Sequence, residues 1–359
     1  MTLVYSGVEE ELRASVRKVL GDRSPWQEVL ARVASDSPYD TGLWHTLAAE
    51  VGCAGLPVPQ ARGGAGASWR EAAVVAEELG RAVAPVPHLG STLATAALLA
   101  LDAGDLLAKV AAGGVVAILA VPLSGRPAEV GAGSGTLTGV LTSVADALPA
   151  DVLLVPAAGG LWEVAASRAR ITAVTSLDLT RPLADLSFES APARQIAGGT
   201  AAAAALSAAL TAGCVLLASE QLGVAEWCLD TTVEYVKNRR QFGRPVGSFQ
   251  AVKHRLAQLW VAVTQARAVA RYAADCLAEG SPDTAVAASL AQAHCSPVAV
   301  RAAEECVQLH GGIGFTWEHP AHLYLKRAKS DAIALGTPAR HREVLADLLN
   351  LAACGGDHT

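Results

Sequence analysis

Apolar and polar positions along the chain change their period twice. Up to about residue 112 the spacing is helical: the stretch 70–79 (REAAVVAEEL) sets acidic residues among Ala and Val. Gly63, Gly64 and Gly66 break that pattern just before it. At 113–123 the run GGVVAILAVPL is β-branched and bounded by Gly and Pro, too short for a core helix. GTLTGVLTSVAD alternates apolar with polar, and DVLLVPA and LWEVAA follow, each closed by turn residues. From about 199 the helical spacing returns in Leu222, Ala225, Leu229, Val233 and Val236, then in Phe249, Val252, Leu256, Leu259 and Val263. The loop GRPVG at 243–247 separates those two helices, with Ser248 as the expected N-cap. Long helices joined by short loops predict an antiparallel bundle. The expected fold is α+β and mostly α, without internal repeats: a helical unit over 1–112, a small β unit over 113–192 and a bundle over 193–359.

Composition narrows this. Hydrophobic residues make up 52% of the 359 and charged ones 17%, so the chain can bury a large core. Abundant Ala with 4% aromatics favours helices that approach closely. The formal net charge of -6 gives no overall basic field, so nucleic acid is not an expected partner. Seven cysteines without a C-x-x-C pair, and His319 and His322 without a third ligand, predict no metal site. The amino terminus shows no apolar signal core, which predicts a cytoplasmic protein with reduced thiols. The stretch 195–219 has no charge and could span a bilayer by length. Its Ala, Gly, Ser and Thr content, and the charged helix it enters at Glu220, predict a buried bundle helix and no membrane partner. GAGSG at 131–135 imitates a dinucleotide loop but lacks the strand and helix around it, so a β-turn is expected.

Two motifs carry chemistry. RRQFGRPVGSFQAVKHRLAQL, at 239–259, is similar to the RxxFGxxxxxFQ signature of the acyl-CoA dehydrogenases. QLHGGIGFTWEHPAHLYLKRAK, at 308–329, resembles their QxxGGxGF signature, and ARGGAGASW their Gly-rich loop near the amino-terminal helices. The resemblance covers essentially the whole chain. It implies an N-terminal helical domain, a middle β domain and a C-terminal bundle. It also implies FAD as cofactor, an acyl-CoA substrate and a place in lipid metabolism. By the same resemblance Arg239, Phe242, Gln308 and Gly312 would reach the flavin of a neighbouring subunit, with Thr337 also on the cofactor side. The residue types suit that task, since Arg offers a planar fork to phosphate oxygens and Gly lets the backbone come close.

The catalytic positions depart from the family. Its base is usually the Glu of an E-G-T triplet, where this chain has Leu335 in AIALGTPARHR. Some members carry the base on the first long bundle helix, where this chain has Gly213, with Cys214 in place of a usual Arg. Glu220, about two turns along the same face, is the fallback carboxylate, and is expected to pair with an Arg inside the bundle. The middle stretches AVPLSGRPAEVGAGSG and GVLTSVADALPAD lack the family's Thr-Glu pair and its Trp. Together these features resemble the subunits of heteromeric actinobacterial enzymes that lack the catalytic Glu. They imply a chain that completes the FAD site of a homologous catalytic chain in a heterotetramer. The alternatives are a homo-oligomeric flavin oxidase or monooxygenase of the same fold, or a non-catalytic scaffold.

Overall fold

The structure, a computed structural model, describes residues 3–125 and 130–351. Positions 126–129 of the AVPLSGRPAEVGAGSG stretch lie outside the described residues. The first unit holds α1 (Gly7–Arg23), α2 (Trp26–Val33), α3 (Thr41–His45), α4 (Trp69–Ala82), α5 (His88–Ala100) and α6 (Gly104–Ala111). Its helices begin where the sequence supplies caps: Ser6 with Glu9, and Ser68 with Glu71, each form a capping box.

The β unit holds β1 (Ala117–Leu119), β2 (Val130–Gly133), β3 (Thr136–Ala145), β4 (Val152–Ala157), β5 (Gly160–Ala165), β6 (Arg170–Val174), β7 (Leu183–Pro192) and β8 (Arg194–Gly198). They form two sheets, ordered β1-β4-β5-β8 and β2-β3-β7-β6. Ile118, Leu153 and Val155 from the first sheet meet Leu137, Leu141 and Phe188 from the second in one apolar core. The GAGSG stretch is a hairpin: Ser134 (φ 52°) and Gly135 (φ 76°) turn β2 into β3, both in the left-handed region such two-residue turns require. Because β8 pairs with β5, the expected boundary at 192 falls between two strands and the bundle begins at Gly199.

The last unit holds α7 (Gly199–Asn238), the short hairpin β9 (Arg240–Gln241) and β10 (Arg244–Pro245), then α8 (Gln250–Ala278), α9 (Thr284–His310), α10 (Ala321–Asp331) and α11 (Pro338–Leu348). Ser248 does not cap α8. Residues 246–248 form a 3-10 turn in which the Ser248 hydroxyl donates to the Pro245 carbonyl (2.7 Å), leaving Phe249 at the cap. The uncharged stretch 195–219 becomes β8's end and the first half of α7, which packs against α4, α5, α8 and α9 at the centre of the molecule. The α4–α7 crossing is unusually close. A Cβ on Gly80 would overlap the carbonyl oxygen of Glu220, and a Cβ on Gly223 that of Glu77, so only glycine lets the two backbones touch. Tyr39 ties the helical and β units, its hydroxyl 2.9 Å from the Asp146 carboxylate, whose other oxygen accepts from the Gly90 N–H (2.7 Å).

Candidate functional site

At one pole of the bundle, α7 and α9 end side by side, with Tyr235 stacked on His310 at 4.3 Å between ring centroids. Arg239 follows α7 directly, its N–H donating to the Tyr235 carbonyl (2.8 Å), and its side chain is exposed. The β9–β10 hairpin turns at Phe242 (φ 53°) and Gly243 (φ 75°), and the Phe242 ring stands 89% exposed. A left-handed aromatic residue is held there by the turn against its own preference. Gln308 is exposed in the last turn of α9, and Gly312 lies in the 3-10 turn Gly311–Phe315 just beyond. Open space surrounds Gly312, since nothing lies within 4 Å of where a Cβ would sit. The structure thus brings Arg239, Phe242, Gln308 and Gly312 to one end of the bundle. A pyrophosphate needs a cation and close backbone, and Arg239 has no acidic partner among the described residues. The pole fits a dinucleotide.

Thr337 is elsewhere. It caps α11, its hydroxyl oxygen accepting from the Arg340 N–H (3.2 Å), two residues from Leu335 in the chain. Leu335 (φ 56°) is buried and its N–H donates to the Leu123 carbonyl of the β unit (2.7 Å). A Cβ on Gly213 would lie 2.9 Å from Leu335 Cδ1 and would overlap Leu93 Cδ2 of α5. The two family base positions therefore meet in space, and leucine side chains fill the point where they meet. Gly213 and Arg239 are far apart on continuous α7, roughly 39 Å at 1.5 Å per residue. Cys214 is buried beside Gly213, and burial pushes its thiol up to about 12.

Glu220 occupies the bundle interior among charges that sequence reasoning did not name. Arg181 Nη2 donates to both its oxygens (2.6 and 2.7 Å), and Arg327 Nη1 to Oε1 (2.5 Å). Arg327 also donates to Asp178 (2.5 Å) and to the Thr180 hydroxyl (2.6 Å), while Arg181 pairs with Asp331. Burial alone would push the Glu220 carboxyl up, yet Arg181 and Arg327 outweigh it and hold it at about 2. A carboxylate so held is a poor proton acceptor. Asp331 moves the other way, to about 7: burial and the nearby Glu220 charge raise it, and Arg181 only partly offsets them. Its Oδ2 is buried without a hydrogen-bond partner among the described residues. The network joins the β unit (Asp178, Thr180, Arg181) to α7 and α10, so it is a clasp between units. Glu220 gave a signal, as the first charge after an uncharged stretch, but Arg327 and Asp331 were hidden among the other charges of α10. Leu93 gave no such signal.

Comparisons with known proteins show the family. The model of the acyl-CoA dehydrogenase N-terminal domain matches residues 7–104 and that of the C-terminal domain 189–349. The chain is 40% identical over 338 residues to acyl-CoA dehydrogenase IpdE2 of Mycobacterium tuberculosis, covering 93% of this chain and 94% of that protein. Among solved structures it is similar to the ChsE4-ChsE5 complex from Mycobacterium tuberculosis, at 27% identity and a TM-score of 0.89, over 99% of this chain and 100% of that one. It is also similar to the Tcur3481-Tcur3483 steroid enzyme, at 30% identity and a TM-score of 0.85, over 95% of this chain and 97% of that one. On the motifs, the three-unit fold and these matches, the chain belongs to the acyl-CoA dehydrogenase family of FAD-dependent oxidoreductases.

Proposed function

We propose that this chain is the non-catalytic member of a heteromeric acyl-CoA dehydrogenase and completes the FAD site of a homologous catalytic chain. The carrying observation is the separation of its two half-sites. Arg239, Phe242, Gln308 and Gly312 stand at an open pole, while Leu335 and Gly213 face each other in a packed interior. One dinucleotide cannot touch both Gly213 and Arg239, roughly 39 Å apart along α7, so the pole serves a cofactor seated mainly on another chain. Bound FAD supplies the hydride acceptor for α,β-desaturation of an acyl-CoA thioester. At the pole Arg239 would hold pyrophosphate oxygens, Gln308 would offer an amide, and Gly312 would let the backbone come near.

At the two positions where the resemblance puts the base, Leu335 and Gly213 offer no proton acceptor. Leu335 and Leu93 occupy the base region, and Glu220 is neutralised by two arginines. The relatives add support. Two of the similar structures carry paired names, ChsE4-ChsE5 and Tcur3481-Tcur3483. The same reading makes the chain cytoplasmic, with acyl-CoA bound chiefly by its partner.

Flavin stoichiometry tests it. The assembled enzyme should hold about half a flavin per chain, and this chain purified alone should show almost no desaturation with an artificial electron acceptor. One flavin per chain with turnover by the lone protein would favour a homo-oligomeric oxidase or monooxygenase. No flavin in any assembly would favour a scaffold.

A further inference from the structure

The net charge of -6 conceals a local field of opposite sign. Between Glu234 and Asp275 the chain carries eight Lys and Arg and no acidic residue. Three of these cations are spent within the fold: Arg255 on Glu305, Arg267 on Glu226, and Arg271 near Glu77. The other five, Lys237, Arg239, Arg240, Arg244 and Lys253, are exposed and have no acidic partner among the described residues. Lys237 and Lys253 line one groove, and the Arg244 guanidinium lies 3.9 Å from the centre of the Phe249 ring, against which Phe242 packs. Across the pole, the turn after α9 exposes Phe315 (73%) and Trp317 (62%), and Lys326 Nζ lies 4.9 Å from the Trp317 ring centre.

Helix ends account for only part of these charges. Lys237 suits the carboxyl end of α7, where a cation is favoured. Lys253 sits near the start of α8, where a cation is disfavoured and no acidic residue compensates it. A dinucleotide does not account for the rest, because a pyrophosphate bears only two negative charges. An aromatic centre inside a charged rim is the anatomy of a protein interface. We propose that Lys237, Arg240 and Lys253 form a docking rim for an acidic face on the homologous catalytic chain. The rim sets partner choice and encounter rate, while Arg239 and Phe242 serve the cofactor. This rests on the proposed function, because the pole is where a second chain must come to share its flavin.

The test uses the full chain with each family member of its own genome that retains the Glu-Gly-Thr triplet, comparing wild type with the triple variant Lys237→Gln, Arg240→Gln, Lys253→Gln. Arg239 and Phe242 stay intact. Association of wild type should weaken steeply as salt rises from about 50 to about 500 mM, since charges are then screened within a few ångströms. The triple variant should associate at least roughly tenfold more slowly at low salt, with little salt dependence, and match wild type at high salt. An Arg240→Glu variant should weaken assembly further. Unchanged assembly and salt dependence in the triple variant would overturn the rim, and if Arg239→Ala still lost flavin, the proposed function would survive alone. Assembly of wild type with none of these chains would overturn both. Tight binding of wild type to a duplex oligonucleotide, or to a second copy of itself, in place of a family chain would overturn the rim.

Discussion

One helix carries two regions that treat charge in opposite ways. Midway along α7 the interior packs Gly213 against Leu93 and Leu335, and Glu220 is enclosed by Arg181 and Arg327. At its far end the arginines are exposed, without an acidic partner among the described residues, and the Phe242 ring stands in solvent. The interior side chains pair with one another; those at the pole face solvent. A motif therefore does not imply a whole active site. On the proposed function its two halves answer to different neighbours, one kept at the pole and the other filled by Leu93 and Leu335.

The sharpest way to break this comparison is to disturb the interior. Arg327→Met leaves Glu220 and Asp178 short of a buried partner, and removal of one member of such a network costs about 3–5 kcal/mol. Thermal unfolding should shift down accordingly; a variant as stable as wild type would mean the charges are not clasping the units. Next comes an attempt to reopen the site. Gly213→Glu must displace Leu93 and Leu335, an overpacking cost of about 1–3 kcal/mol before the buried charge is counted. Neither it nor Leu335→Glu should give desaturation of an acyl-CoA panel with flavin added. A clear gain from either would show the interior to be a competent site.

The pole should respond differently. Arg239→Ala should leave the melting temperature of the isolated chain almost unchanged, because its side chain is exposed. In the assembled enzyme it should lower flavin affinity tenfold or more, since a charge-assisted hydrogen bond contributes about 1.5–3 kcal/mol. Flavin retention equal to wild type would remove Arg239 from the cofactor site.

The smallest effect is a pH limb. Asp331 has a folded pKa of about 7, above its ordinary 3.8, so its contribution is full at low pH and is lost as pH rises through 7. Glu220, at about 2 against an ordinary 4.5, contributes above 4.5 and loses that as pH falls towards 2. Stability should therefore rise to about pH 4 and decline from there to about pH 7. Asp331→Asn should flatten the alkaline side in a pH series of melting temperatures; an unchanged slope would exclude Asp331 as its source.

Much of the fold was legible because spacing reports burial. Leu222, Ala225 and Leu229 face the core as their period implied, and the alternation in GTLTGVLTSVAD became β3. Ser248 misled because residues 246–248 closed a turn of their own first. Local sequence could not reveal that Gly213 and Leu335 converge, because that contact joins α7 to the turn after α10. It could not reveal Leu93 at all, one leucine among many. The unpaired cations were in plain view, but a net charge averages over the chain and erased them.

The touching backbones of α4 and α7 have a consequence for the nascent chain. Gly80 leaves the ribosome long before Gly223, with the entire β unit synthesised between them. At about 5–20 residues per second the interval is on the order of ten seconds. During it the apolar face of α4 has no α7 to lie on. Helper proteins that shield exposed hydrophobic segments should therefore engage this chain early and release it only once α7 has emerged.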